Sequence, residues 1–197
     1  MVSMQGKYLT VWNIGFQLSY FFLAFLCDIC TVLSREHMIP NNIRKFRQFY
    51  FSTAVWPVAT LIFVVFWPFF FTNRELLFPA FIDKIFSLKS NLVMHFCILP
   101  AVLWELVFTP RPVQTSHVKH IGALTFLFVL YNIVIIYTYS QRGIWPYPIL
   151  NILYPTIYYQ LLLVTLYLMV LWCYQLQWRI TSMVWDSDRR TVRKNKI

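Results

Sequence analysis

The run 91-NLVMHFCILPAVLWELVF-108 decides the fold, because only two of its residues, His95 and Glu105, are ionisable. An apolar run of about 20 residues is long enough to cross the roughly 30 Å hydrocarbon layer of a membrane as an α-helix. Four other runs in the chain have the same character. Strands of a membrane β-barrel alternate apolar and polar residues over about 10 positions, and these runs do not alternate. We therefore predict an all-α membrane protein, a bundle of five transmembrane helices.

The composition of the whole chain supports this class. Hydrophobic residues make up 59% of the 197 residues and charged residues only 12%, whereas soluble domains average roughly 45–50% apolar and about 25% charged residues. The net charge of +10 does not indicate nucleic acid binding, because the basic residues flank the apolar runs, where they anchor to anionic headgroups. The composition predicts a membrane as the partner and no nucleic acid.

The five predicted spans belong to a single integral membrane domain, residues 1–197. They are 11–33, 49–72, 91–109, 121–140 and 152–175, followed by a basic tail at 178–197. Prolines fall inside several spans, where each removes a backbone donor and kinks the helix. They are Pro57, Pro68, Pro100 and Pro155.

The basic residues predict an orientation in the membrane. Twelve of the 17 lysines and arginines fall on one side of the membrane in this arrangement. The positive-inside rule places that side in the cytosol, so the N-terminus is lumenal or extracellular and the tail is cytosolic. The tail, 189-RRTVRKNKI-197, resembles a dilysine retrieval signal but has Asn195 where such signals need lysine. This favours the endoplasmic reticulum, with the plasma membrane as the alternative.

Two loops on the lumenal side have interfacial character. In 78-FPAFIDKIFSLKS-90, apolar residues that include Phe81 and Phe86 recur at helical spacing, which predicts a short amphipathic helix in the interface. The segment 145-WPYPIL-150 adds Trp145 and Tyr147, which are residue types typical of the aromatic belt. Its prolines argue against a regular helix.

Ionisable residues inside membrane spans are rare and are usually functional or paired. Asp28 and Glu105 lie toward the cytosolic ends of their spans, so we expect them to pair with nearby basic residues. The candidates are Arg35, Arg44, Lys45, Arg47 and Arg111. His95 lies about 6 Å below the lumenal boundary at 1.5 Å per residue, level with Thr10 at the mouth of the first span. The two could form a chemical pair, or Thr10 could cap its helix and His95 could bond a backbone carbonyl.

The cysteines do not predict a metal site. All four lie in apolar runs, and 27-CDIC-30 has no second pair that would complete a zinc site. We interpret them as buried thiols that pack as small hydrophobic side chains.

Several local patterns resemble the androgen-induced gene family, and they occur in that family's order over most of the chain. The patterns are 7-KYLT-10, 57-PVATLIFVVFW-67, 73-NRELLFPAFID-83, 91-NLVMHFCILP-100 and 145-WPYP-148. The resemblance implies a multi-pass membrane hydrolase of fatty acid esters of hydroxy fatty acids, whose threonine nucleophile and histidine correspond to Thr10 and His95. The family has a further apolar segment before the threonine span, where this chain has nine residues, and often a second histidine where this chain has Leu92.

A threonine hydroxyl needs a base within about 3 Å to act as a nucleophile, and His95 is the only histidine in a predicted span. The chain has no GxSxG sequence, which excludes the ordinary serine hydrolase fold. We interpret Thr10 and His95 as catalytic and expect a second set of residues to contact the substrate. This set is Asn13, Asn91, Phe81, Phe86 and Trp145, with the two asparagines as candidate oxyanion donors.

We expect a lipid ester as the substrate and no cofactor or metal, while the oligomeric state stays open. The alternative function is a non-enzymatic lipid-binding scaffold or small transporter. Such a protein would use Asp28 and Glu105 rather than Thr10.

Overall fold

The computed structural model describes residues 6–77, 87–112, 114 and 116–194, with the backbone alone for Leu88 and for 186–194. Within these ranges the regular structure is entirely helical. The α-helices of the described residues are α1 (Leu9–Val32), α2 (Asn41–Tyr50), α3 (Trp56–Asn73), α4 (Leu88–His95), α5 (Ile98–Phe108), α6 (Val118–Arg142), α7 (Pro148–Leu153) and α8 (Ile157–Lys194).

Five helical segments of the described chain are long and apolar enough to cross a membrane. They are Leu9–Val32, Asn41–Leu76, Lys89–Phe108, Val118–Arg142 and Ile157–Trp185. Each contains one of the predicted spans or most of it, so the predicted fold class is confirmed. The described residues between them include a short helical turn at Glu36–Met38 and the small helix α7.

Helix α1 shows how each span divides between the bundle interior and the lipid. Its buried residues recur every three or four positions, which places them on one face of the helix. They are Asn13, Gln17, Tyr20, Ala24 and Cys27. The opposite face exposes Leu18, Phe22 and Phe25, as expected for a surface in contact with acyl chains. In this helix the interior face is therefore more polar than the outer face.

The second span begins earlier than its apolar run. The apolar run starts at position 49, whereas α2 begins at Asn41 and continues through a π-helical segment, Phe51–Val55, directly into α3. All five residues of the π segment are buried. Immediately after it, the Trp56 indole N–H donates to the carbonyl oxygen of Cys173 in α8 at 2.9 Å, which ties the second span to the fifth.

The third span is broken into α4 and α5 at Phe96 and Cys97. Pro100 explains the break, because its ring would clash with the carbonyl of Phe96 four residues earlier and its nitrogen cannot donate to that carbonyl. Neighbouring spans bond the carbonyls next to the break. The Trp67 indole donates to the carbonyl of His95 at 3.1 Å, and the Gln17 amide donates to that of Ile98 at 3.2 Å. Pro100 therefore produces a break in the span, where we expected a kink.

The region before the fifth span differs from the sequence prediction. The prolines of 145–150 were expected to prevent a helix, but Pro148 is the first residue of α7, a position where a missing N–H costs nothing. The fifth spanning helix starts at Ile157, after Pro155, so the prediction of Pro155 inside the span is wrong. At its other end α8 continues to Lys194 and includes most of the predicted tail.

The predicted amphipathic helix at 78–90 lies mainly outside the described residues, which resume at Ser87. Ser87 caps the start of α4, because its side-chain oxygen accepts a hydrogen bond from the Ser90 backbone N–H.

The two carboxylates inside the spans pair with arginines, as predicted. Oε1 of Glu105 accepts hydrogen bonds from Tyr20 at 2.6 Å, Arg111 at 2.8 Å and Arg47 at 3.0 Å. Arg47 also reaches Oδ1 of Asp28 at 3.2 Å. Glu105 and Arg111 are buried, whereas the Asp28 side chain is 65% exposed. This charged cluster joins α1, α2 and α5 at the end of the bundle opposite to Thr10.

Candidate active site

Thr10 is the second residue of α1 and is held in place through the backbone around it. Tyr8 occupies the N-cap position, so the alternative prediction that Thr10 caps the helix is wrong. The Leu9 backbone N–H donates to the Tyr147 hydroxyl at 3.2 Å. The Tyr131 hydroxyl donates to the carbonyl of Lys7 at 3.1 Å.

The two tyrosines also contact each other, with their hydroxyl oxygens 2.8 Å apart. Burial raises the pKa of Tyr147, so its hydroxyl is protonated at neutral pH. Because the Tyr131 proton is directed at Lys7, the Tyr147 hydroxyl donates to Tyr131 and accepts from Leu9. This relay fixes the start of α1 against α6 and the loop before α7.

His95 is the last residue of α4, next to the break in the third span. His95 is 5% exposed. Its ring stacks on the ring of Phe66, with the centroids 3.6 Å apart and an angle of 15° between the ring planes. Its carbonyl accepts the indole N–H of Trp67. These contacts from α3 hold the imidazole in one orientation.

The two predicted catalytic side chains meet. The Thr10 Oγ1 and His95 Nε2 atoms are 3.2 Å apart, and the other ring nitrogen, Nδ1, is 3.2 Å from the carbonyl oxygen of Asn91. A carbonyl can only accept, so Nδ1 carries the proton of the neutral ring. Nε2 is then an acceptor and the Thr10 hydroxyl donates to it. This tautomer is the one that a base for Thr10 requires.

The pair lies on the wall of a cavity of ≈ 680 Å³, within the usual size range of ligand pockets. Spans one, two, three, four and five all contribute to the wall. Besides Thr10 and His95, the polar residues of the wall near the pair are Tyr8, Tyr131 and Tyr147. Most of the remaining wall is apolar, including Val58, Leu61, Ile62, Leu124, Leu127, Phe128, Leu162, Leu163, Leu166, Met169 and Val170. The site combines one nucleophile–base pair with a hydrocarbon-lined space.

The structure separates three of the other predicted substrate contacts, Asn13, Asn91 and Trp145, from this cavity. The Asn13 amide is fully buried, and neither of its polar atoms has a hydrogen-bond partner among the described residues. Asn91 supplies its backbone carbonyl to His95, and its buried side-chain oxygen has no partner in the part of the chain that the structure describes. Neither amide lies on the cavity wall. Trp145 stacks on Tyr139 at 4.2 Å, behind the wall. Phe81 and Phe86 lie outside the described residues.

Sequence reasoning missed the residues that orient the pair. Phe66 was one of many aromatic residues in a span, and nothing local marks it as the partner of His95. Tyr147 was interpreted only as part of an aromatic belt. Its position between two prolines was a usable signal, because a constrained loop beside a span start can present a hydroxyl to free backbone N–H groups.

The part of the chain that the structure describes contains no candidate metal site. No three histidine, cysteine, aspartate or glutamate side chains gather there as a metal site. The cysteines are free thiols. Cys27 and Cys173 are buried as predicted, but Cys30 is partly exposed and Cys97 is exposed, so the prediction of four buried thiols is wrong.

Comparison with known proteins finds a matching family and several relatives whose names refer to androgen. The sequence pattern of the family described as FAR-17a/AIG1-like protein matches residues 4–178. Androgen-dependent TFPI-regulating protein of Mus musculus is 32% identical over 154 residues, 77% of this chain and 65% of that protein. The protein of that name in Homo sapiens is 27% identical over 195 residues, 96% of this chain and 81% of that protein.

A second kind of relative matches more weakly. Androgen-induced gene 1 protein of Homo sapiens is 25% identical over 158 residues, 74% of this chain and 63% of that protein. This chain spans 65%, about two thirds, of the length of the mouse androgen-dependent TFPI-regulating protein. No solved structure matches the chain significantly.

Proposed function

Because the chain belongs to the FAR-17a/AIG1-like protein family, we propose that it is an integral membrane hydrolase that cleaves fatty acid esters of hydroxy fatty acids. Thr10 is the nucleophile and His95 is its base. The supporting observation is the 3.2 Å contact between Thr10 Oγ1 and the unprotonated Nε2 of His95 on the wall of an apolar cavity. No cofactor takes part in this reaction.

The first half of the reaction transfers the acyl group to the enzyme. His95 Nε2 takes the proton of the Thr10 hydroxyl while Oγ1 attacks the ester carbonyl carbon. The tetrahedral intermediate collapses when the bond to the alkoxy oxygen breaks. The proton on His95 passes to that oxygen, and the hydroxy fatty acid leaves as an alcohol. An acyl ester on Thr10 remains.

The second half restores the enzyme with one molecule of water. His95 takes a proton from water as the water oxygen attacks the acyl carbon, and it then returns that proton to Thr10 Oγ1 as the acyl bond breaks. The fatty acid leaves. In the first turn of α1, the Leu9, Val11 and Trp12 N–H groups already donate to Tyr147 and Tyr8. The Thr10 N–H is therefore the backbone donor that we propose for the oxyanion.

The depth of the pair suits an amphiphilic ester. Thr10 is the second residue of its span, about 3 Å from the helix start at 1.5 Å per residue. Water can reach this level, while the hydrocarbon chains stay in the cavity or in lipid. We propose that this end of the bundle faces the lumen or the extracellular space, and that the protein resides in the endoplasmic reticulum or plasma membrane.

The test is active-site labelling of the protein in membranes with a fluorophosphonate, which reacts with activated hydroxyl nucleophiles. We expect wild type to be labelled, Thr10→Ala to lose labelling and His95→Ala to lose at least 100-fold in rate, the usual scale for a general base. Hydrolysis of the ester substrate should fall in parallel.

Matched variants separate chemistry from stability. Thr60 is a buried threonine that bonds its own helix at the Trp56 carbonyl and does not line the cavity. His120 is a buried histidine at the other end of the bundle. Thr60→Ala and His120→Ala should retain labelling. Equal labelling of Thr10→Ala and wild type would refute the hydrolase and leave a lipid-binding protein as the better account.

A further inference from the structure

One end of the cavity is closed by packed apolar side chains. Leu61, Leu124 and Val170 line the cavity and are 7%, 1% and 3% exposed. They belong to a buried cluster that continues into Cys173 and Tyr174, which do not line the cavity. Val58, one turn beyond Leu61 on α3, also lines the cavity and is 4% exposed. We call Val58, Leu61, Leu124 and Val170 the floor.

The wall above the floor is suited to hydrocarbon. Three polar side chains line the cavity away from the catalytic pair. One, Tyr159, has a buried hydroxyl with no hydrogen-bond partner among the described residues. The other two bond their own helices. The Thr165 hydroxyl donates to the carbonyl of Leu161 at 2.8 Å, and the Asn132 amide donates to that of Phe128 at 2.8 Å. No cationic side chain lines the cavity within the described residues. A carboxylate would therefore lose its hydration there without gaining an ion pair.

The depth of this space can be read along the helices. Phe66 stacks on His95 and marks the reaction level on α3, and Tyr131, which bonds Lys7, marks it on α6. The deepest lining residue of α3, Val58, is eight residues from Phe66, and that of α6, Leu124, is seven from Tyr131. These separations are roughly 12 and 11 Å at 1.5 Å per residue. An extended chain advances about 1.2 Å per bond, from 3.3–3.6 Å per three-bond residue. Straight chains of roughly 9 or 10 bonds reach the floor.

We propose that this space is a chamber for the acyl chain transferred to Thr10, and that the floor limits the length of chain that the enzyme accepts. The identification of the bound hydrocarbon chain as the acyl group rests on the proposed hydrolase function. The preference of the chamber for a hydrocarbon chain of limited length is independent of that function. A longer chain must bend within the ≈ 680 Å³ cavity or displace the floor.

The experiment measures labelling rates for a series of alkyl fluorophosphonates with chains of increasing length. Val170→Phe raises the floor and should slow the longest reagents at least tenfold while the shortest react as with wild type. Leu124→Ala lowers the floor by up to three carbon atoms of side chain and should extend the longest well-accepted chain by about two carbons. Leu124→Ala also serves if Val170→Phe fails to accumulate.

The control is Leu163→Ala, on the same face of α8 two turns from Val170 and also on the cavity wall. It widens the chamber without deepening it, so it should change all rates alike and leave the length limit in place. The same length profile in wild type and both floor variants would refute the chamber.

A binding measurement separates this proposal from the hydrolase. Saturated fatty acids of increasing length are titrated against Thr10→Ala, with and without each floor substitution, and thermal stabilisation is recorded. If neither wild type nor any variant is labelled but the floor substitutions change the length limit for fatty acid binding, the chamber is supported and the hydrolase is refuted. If labelling requires Thr10 but neither profile moves, the hydrolase stands and the chamber fails.

Discussion

Glu105 and Asp28 offer a direct test of what ionisable groups do inside this bundle. Glu105→Gln removes the charge from a carboxylate that accepts hydrogen bonds from two arginines and a tyrosine at 2.6–3.0 Å. Removing one partner of a buried ion pair typically costs about 3–5 kcal/mol, because the remaining charge stays desolvated. Arg111 is 6% exposed and has no other carboxylate within reach among the described residues.

Asp28→Asn is the matched comparison, because Asp28 contacts Arg47 at nearly the same distance, 3.2 Å, but its side chain is 65% exposed. An exposed pair contributes roughly 0–1 kcal/mol. At about 2–4 °C per kcal/mol for a chain of this size, Glu105→Gln should lower the melting temperature by roughly 6–20 °C and Asp28→Asn by at most about 4 °C.

The assay is thermal unfolding of the purified protein in detergent, followed by fluorophosphonate labelling of the folded fraction. Labelling per folded molecule should be unchanged in both variants, because neither carboxylate lines the cavity. Equal losses of stability would show that burial does not govern this cluster. A specific loss of transport or ligand binding at full stability would instead favour the transporter alternative.

Two further substitutions probe the surroundings of the catalytic pair. Tyr147→Phe leaves the Leu9 N–H without its acceptor and loosens the first turn of α1. A lost or unsatisfied hydrogen bond costs about 1–3 kcal/mol, and labelling of Thr10 should slow by about tenfold while the protein accumulates normally. Unchanged labelling would refute the positioning role of this hydroxyl. Asn13→Leu replaces a buried amide that has no partner within the described ranges, so the melting temperature should stay equal or rise and labelling should persist. Abolished labelling would instead make Asn13 a candidate oxyanion donor again.

The spans were predictable because length and apolarity are local properties of the sequence. Where polar residues extend a helix beyond its apolar run, hydropathy predicts a helix that is too short. Helix α2 contains Arg44, Lys45 and Arg47, so the apolar run starts at position 49 although the helix starts at Asn41. Hydropathy reports where a helix enters hydrocarbon, not where the helix begins.

The level of Thr10 and His95 was also predictable, because two spans that start on the same side place their first residues at similar depths. The rotation of each helix was not. Both the interior and the lipid-facing side of a span are largely apolar, so the sequence does not say that Phe66 faces His95. It also gives no reason to connect Tyr131 with Tyr147 across a loop. These contacts depend on how the spans pack, and the catalytic role of the pair stays a prediction.

The break at Phe96 and Cys97 has an electrostatic consequence for the proposed reaction. It turns His95 into the C-terminal residue of a helix, while Thr10 lies at the N-terminal end of another. Helix dipoles place roughly half a negative charge at the first of these ends and half a positive charge at the second. Attack by Thr10 creates an imidazolium beside the negative end and an oxyanion beside the positive end. Each interaction contributes about 0.3–1 kcal/mol when exposed and up to about 2 kcal/mol when partly buried. The positive end of α5 follows at Ile98 and offsets part of the negative end of α4. An unbroken third span would have no helix terminus at this depth, so the break introduced by Pro100 contributes to the field at His95 as well as to the shape of the bundle.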